Sequence, residues 1–163
     1  MQIVLASSSP YRKKQLATLG LPFICANPDI DESAKIDETP DKLALRLAVQ
    51  KAQAVSSLHP TAIIIGSDQV ACFEDKLIGK PGNKNAAIEQ LRALSGKKVF
   101  FYSAIALLNA HNNTLQQQIT ETVVCYRTLS EQQIAYYLEY DQPFDCAGSF
   151  KCESLGIAIL ESV

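Results

Sequence analysis

Strand-sized apolar runs alternate along this chain with apolar residues at helical spacing. Ile3-Val4-Leu5-Ala6 is a run of the kind that fills a buried strand. Ser7-Ser8-Ser9-Pro10 follows. A serine before a proline starts a helix, because the hydroxyl caps free N–H groups and proline suits the first turn. Leu16 and Leu19 then lie at helical spacing until Gly20 ends the segment. Phe23 to Ala26 predicts a second strand, and an acidic loop, Asp29-Ile30-Asp31-Glu32, comes after it. Thr39-Pro40-Asp41 opens a longer helix reaching about Leu58. Thr61 to Phe73 is the most strand-like stretch, and its core, Ala62-Ile63-Ile64-Ile65, has no polar face, which predicts a central strand. A turn covers Lys76 to Asn83, and a helix covers Asn85 to Leu94 until Ser95-Gly96 stops it. Val99 to Leu108 and Ile119 to Tyr126 read as long strands joined by the polar loop Asn109 to Thr114. Ser130-Glu131-Gln132-Gln133 starts a last helix, broken at Asp141-Gln142-Pro143. Gly148 to Gly156 reads as a loop and Ile157 to Leu160 as a final strand. The mixture gives an α/β fold class, a mixed sheet flanked by helices.

Composition narrows the function classes without naming one. The 163 residues suit one domain, which buries roughly two-thirds of the surface its unfolded form exposes. Apolar residues at 47% and charged residues at 20% give a globular balance. Fifteen Lys and Arg against seventeen Asp and Glu give a net charge of −2, which argues against a stable nucleic-acid partner. The cations at the start follow a short apolar run, the reverse of a secretory signal, and no run is long enough for a membrane span. A cytoplasmic protein without a membrane partner is expected. The five cysteines include no C-x-x-C pair and there are only two histidines, His59 and His111. Reduced, mostly buried thiols are expected, and no zinc site.

Several clusters can carry chemistry. Ser8, Ser9, Tyr11, Arg12, Lys13 and Lys14 lie at a strand-to-helix junction, with three cations in the first turn of a helix. They oppose the helix dipole unless an anion such as phosphate shares the site, although a solvated basic turn uses the same residues. Asp68, in Ile65-Gly66-Ser67-Asp68-Gln69-Val70, follows an apolar run and is expected near a strand's C-terminal end, where open α/β sheets bind ligands. A turn carboxylate bonded to its own backbone is the plainer alternative. Asp29, Asp31 and Glu32 can supply oxygen ligands to Mg²⁺, or be surface charge. Lys80, between Gly79 and Pro81-Gly82, is held in a turn suited to phosphate, and an exposed hairpin lysine looks the same. No nucleophile–base pair with histidine and no P-loop occurs. The parts fit metal-assisted hydrolysis of a phosphate ester or anhydride.

Leu5-Ala6-Ser7-Ser8-Ser9-Pro10-Tyr11-Arg12, Ile30-Asp31-Glu32, Lys51-Ala52, Gly66-Ser67-Asp68-Gln69-Val70, Gly79-Lys80-Pro81 and Cys146-Ala147-Gly148-Ser149-Phe150 occur in one order along the chain. In that order they resemble the Maf family of nucleoside triphosphate pyrophosphatases, across essentially the whole chain. The resemblance implies an elongated two-lobed α/β structure with a central cleft, as in the Maf/ITPase-like architecture. It implies cleavage between the α- and β-phosphates, helped by a divalent cation, Mg²⁺ or Mn²⁺. By the same resemblance Asp68 is the catalytic proton acceptor. Ser8, Arg12, Lys51 and Lys80 bind phosphate, and Glu32 joins Asp68 as metal ligand. Residues 1–163 then form a single domain of the family, whose C-terminal loop and helix would follow Val163.

Tyr11, Gln69 and Glu153 are the positions that separate branches of the family. Here they resemble the branch acting on 7-methyl-GTP, although Tyr11 stands where a tryptophan is expected. The chemistry agrees with that substrate. Methylation at N7 makes guanine cationic, and an aromatic face attracts a cation by about 0.5–2 kcal/mol. A carboxylate such as Glu153 can accept from guanine N1–H and the 2-amino group, but meets acceptor oxygens on uracil. Hydrolysis of 7-methyl-GTP to 7-methyl-GMP and pyrophosphate is the expected activity. A dTTP/UTP pyrophosphatase or a non-catalytic nucleotide sensor are the alternatives. The exposed hairpin strands leave room for a homodimer.

Overall fold

The computed structural model describes residues 1–163. Seven strands and four α-helices follow one another in the order β1 (Ile3–Ala6), α1 (Pro10–Ala17), β2 (Ile24–Ala26), α2 (Pro40–Ala54), β3 (Ile63–Phe73), β4 (Lys76–Ile78), α3 (Lys84–Leu94), β5 (Lys98–Asn109), β6 (Thr114–Tyr126), α4 (Glu131–Asp141) and β7 (Leu160–Ser162). The strands form one mixed sheet, ordered β2-β1-β3-β5-β6-β7, with β4 paired to β3. β1 runs parallel to both β2 and β3, while β4 is antiparallel to β3 and β7 to β6. The apolar run in β3 therefore lies inside the sheet, as its lack of a polar face predicts.

The chain forms two compact units. One holds Met1–Gln69 and Ser103–Thr120, the other Val70–Tyr102 and Glu121–Val163. In the first unit, α2 turns Leu43, Ala44, Leu47, Ala48 and Ala52 inward, a single stripe at helical spacing. In the second, Leu91 and Leu94 of α3 and Ile134, Tyr137 and Leu138 of α4 join Val99, Phe101, Val124 and Tyr126 in one buried cluster. Ser130 caps α4 with a capping box: its side chain accepts from the Gln133 N–H, and Gln133 Oε1 accepts from the Ser130 N–H.

Four expectations change. The Lys76 turn is a hairpin strand, β4, in register Cys72↔Leu77. Its turn residues Glu74 and Asp75 both take positive φ, at 48° and 60°, without the usual Asn-Gly signal. β6 starts at Thr114 and not at Ile119; the added residues Leu115 to Gln118 are exposed and carry no alternation that marks them as strand. The apolar run at 157–159 lies in a 3-10 helix, Leu155–Ile159, and the last strand starts at Leu160. All five cysteines are free, but only Cys72 is buried; Cys25 and Cys152 are exposed.

Candidate active site

Ala6 is the last residue of β1, paired with Ala26 on β2 and Gly66 on β3. The chain then leaves the sheet through the serine run. Ser7 is buried and its Oγ accepts the Ser9 N–H at 3.1 Å; Ser9 caps α1 by accepting the Arg12 N–H at 3.4 Å. The exposed Ser8 and the half-buried Tyr11 and Arg12 are thereby carried to the start of α1, whose first turn holds no acidic residue of its own.

β3 outlasts this point. Asp68 is not at the end of β3, which runs on to Phe73; it lies two residues beyond Gly66, where the parallel pairing with β1 has stopped. The expectation of a carboxylate at a strand end is corrected to one at the end of a parallel ladder. Asp68 is only 7% exposed. Its neighbour Gln69 is exposed, as strand alternation requires, and its Nε2 donates to Ser103 Oγ on β5 at 2.8 Å.

Lys51 lies on the inward stripe of α2 and is 5% exposed, an unusual place for a lysine. Its Nζ is 2.6 Å from Asp68 Oδ1 and 2.7 Å from Glu32 Oε1. Arg12 approaches the same Asp68 oxygen at 3.7 Å. The close seating of α2 on β3 makes this reach possible. A Cβ at Gly66 would lie 2.0 Å from the Ala48 carbonyl oxygen and 2.8 Å from the Ala52 nitrogen. Helix backbone thus rests directly on strand backbone, one turn from Lys51. A buried ion pair of this kind is costly to break, since removal of one partner strands the other.

Lys80 and Glu153 belong to the second unit and both are exposed. Glu153 is flanked by anchored neighbours. The Lys151 N–H donates to Tyr137 Oη at 3.1 Å, the Lys151 ammonium to the Asp141 carbonyl at 2.7 Å, and Ser154 Oγ to Asp141 Oδ1 at 2.5 Å. Partial desolvation of the thiol, and then Glu153 Oε2 accepting from it, push Cys152 above its ordinary value. Burial likewise raises Tyr126 and Tyr137, whose hydroxyls serve as hydrogen-bonding groups. Asp29 and Asp31 are exposed and Asp31 caps the Ser33 N–H, so of the acidic loop only Glu32 joins Lys51. The sequence assigns no role to Gln90 or Asp141 and holds Ser149 only within the Cys146 to Phe150 run; Asp141 is buried at the end of an amphipathic helix, the one signal available for it.

Residues 2–163 match the family of Maf-like proteins. The chain belongs to that family. Among curated proteins, the 7-methyl-GTP pyrophosphatase of Pseudoalteromonas atlantica is 48% identical over 100% of this chain and 84% of its own length. Those of Nitrosococcus oceani and Albidiferax ferrireducens are 48% and 45% identical, over 98% and 99% of this chain and 80% and 81% of their own. Among solved structures, the Staphylococcus aureus Ham1 protein aligns with this Maf-like chain with a TM-score of 0.49 at 15% identity, covering 82% of this chain and 88% of that one. No helix of this Maf-like chain is long and apolar enough to cross a membrane.

Proposed function

We propose that this chain is a nucleoside triphosphate pyrophosphatase that splits 7-methyl-GTP into 7-methyl-GMP and pyrophosphate. The observation that carries the reading is the buried Lys51–Asp68 pair, with Glu32 and Arg12 against it. Relatives at 45–48% identity that bear this activity in their names support it. Oδ1 of Asp68 faces the two cations, which leaves Oδ2 to take a proton from the attacking water. Arg12, Lys51, Lys80 and Ser8 are the groups we assign to the phosphates, where cations offset the charge that builds as pyrophosphate leaves.

We assign Glu32 and Asp68 to a divalent cation, Mg²⁺ or Mn²⁺: both turn a carboxylate oxygen to the same Lys51 ammonium, and Mg²⁺ needs only one or two carboxylates beside substrate oxygens. Such a cation would neutralise triphosphate charge. Tyr11 supplies an aromatic face for the methylated, cationic base, and Glu153 accepts from its N–H groups. These two residues also weigh against a dTTP/UTP pyrophosphatase. Free nucleotides make the cytoplasm the place of action.

Pyrophosphate release with Mg²⁺ or Mn²⁺ over a panel of 7-methyl-GTP, GTP, dTTP and UTP tests the reading. 7-Methyl-GTP is expected to give the highest kcat/KM. Preference for dTTP or UTP would move the chain to the other branch, and no turnover of any triphosphate would favour a nucleotide sensor.

A further inference from the structure

We propose that Gln90 of α3 is a positioning residue that couples the Lys80 turn to the Glu153 loop. The proposal rests on the reading that Lys80 meets phosphate and Glu153 meets the base. Gln90 Nε2 donates to the Gly79 carbonyl at 3.1 Å, and its Oε1 accepts from the Ser149 hydroxyl at 2.6 Å. A carbonyl can only accept, so the amide nitrogen must face Gly79, and the amide oxygen is left for Ser149. One planar amide therefore fixes two segments that are far apart in sequence, in one orientation only.

Each segment is held at a second point. On the turn side, the Gly82 N–H donates to the Phe144 carbonyl at 2.8 Å, so Lys80 sits between two tethered residues. On the loop side, Ser149 is fully buried and has φ 52°, a left-handed conformation that non-glycine residues rarely adopt. Gly148 before it has φ 69°, and its carbonyl accepts from Tyr126 Oη at 3.1 Å. A Cβ at Gly148 would come within 3.1 Å of that oxygen and 3.2 Å of Phe101 Cζ. Strained backbone of this kind persists where its surroundings over-determine it, and it gathers at functional sites. Downstream, the Tyr137 and Asp141 bonds brace Lys151 and Ser154 on either side of Glu153. Gln90 is thus the link between a phosphate-side turn and a base-side loop, without touching substrate itself.

Two paired tests separate this role from plain stabilisation. Gln90→Glu keeps an acceptor for Ser149 but sets a second acceptor against the Gly79 carbonyl, so it releases the Lys80 turn alone. Steady-state pyrophosphate release from 7-methyl-GTP is measured for Gln90→Glu, Lys80→Ala and the double variant. Lys80→Ala is expected to lower kcat/KM about tenfold and Gln90→Glu about fivefold, with Gln90→Glu adding less than about twofold once Lys80 is gone. Ser149→Ala releases the other segment and serves if Gln90→Glu fails to fold. It is expected to change the 7-methyl-GTP to UTP preference about threefold, and to have no such effect in a Glu153→Gln background. Additive effects in either measured pair, with an active wild type, overturn the role of Gln90 and leave the activity standing. No pyrophosphate release from 7-methyl-GTP by the wild type overturns both.

Discussion

Lys51 and Glu153 are held by different means. Lys51 projects from a regular helix onto a regular strand and is fixed by two carboxylates at 2.6 and 2.7 Å, nearly out of contact with water. Glu153 is exposed on an irregular loop, whose anchors are a tyrosine hydroxyl, a helix-end carbonyl, the Asp141 carboxylate and the Gln90 amide. Charge in a low-dielectric setting is strong but unforgiving, because either partner alone is costly. Single hydrogen bonds spread along a loop, with no ion pair among them, can change one at a time. The difference teaches that the Lys51–Asp68 pair rests on a helix and a strand packed backbone to backbone, while the proposed base reading rests on a segment that can be altered without unfolding the rest.

Substitutions can break that contrast. Lys51→Met leaves Asp68 buried without its nearest cation. It is expected to lower the unfolding free energy by about 3 kcal/mol in urea titration and to cut turnover at least about a hundredfold. A variant as stable as the wild type would show that the pair is not the anchor of the first unit. Gly66→Ala forces α2 away from β3, because its new Cβ meets backbone at 2.0 Å. A loss of about 2 kcal/mol is expected together with weakened activity, and an unchanged melting curve would contradict the close seating. Glu153→Gln is expected to leave stability within about 0.5 kcal/mol while shifting the substrate ranking toward pyrimidines. An unchanged ranking would remove Glu153 as base reader.

The smallest effect concerns pH. Arg46 donates to both carboxylate oxygens of Glu38, at 2.6 and 2.7 Å, and the Lys35 N–H adds a third bond. The Arg46 bonds, then the Lys35 N–H, pull Glu38 down from 4.5 to about 2. A lowered carboxylate stabilises the fold fully above its unfolded value, and the contribution fades as pH falls through the folded one. Glu38→Gln is therefore expected to flatten the fall in stability between pH 4.5 and about 2, measured by melting. An identical acid limb in wild type and variant would show that Arg46 does not hold Glu38 in the fold.

The sheet was legible wherever burial shaped the sequence. The apolar run at 62–65 marked a central strand, and Ser130 with Gln133 marked a helix start. The first half of β6 was invisible, because exposed glutamines carry no alternation, and the run at 157–159 misled because its composition is strand-like although the 3-10 turn leaves Ile157 exposed and buries only Ile159. At the site, the serine run and Asp68 stood out locally, while Lys51 was marked by family resemblance although it interrupts the Leu43, Leu47 stripe. Nothing local marked Gln90, and Ser149 stood out only within the Cys146 to Phe150 run, without a role, since their bond spans 59 residues.

The central claim is that Asp68, seated between Lys51 and Arg12, carries the hydrolysis. Wild type and Asp68→Asn should be compared on 7-methyl-GTP with Mg²⁺, with products separated by chromatography and folding checked by melting. The account predicts 7-methyl-GMP and pyrophosphate in equal amounts from the wild type, and at least about a hundredfold slower release from a folded Asp68→Asn. Near-normal release by that variant would contradict it.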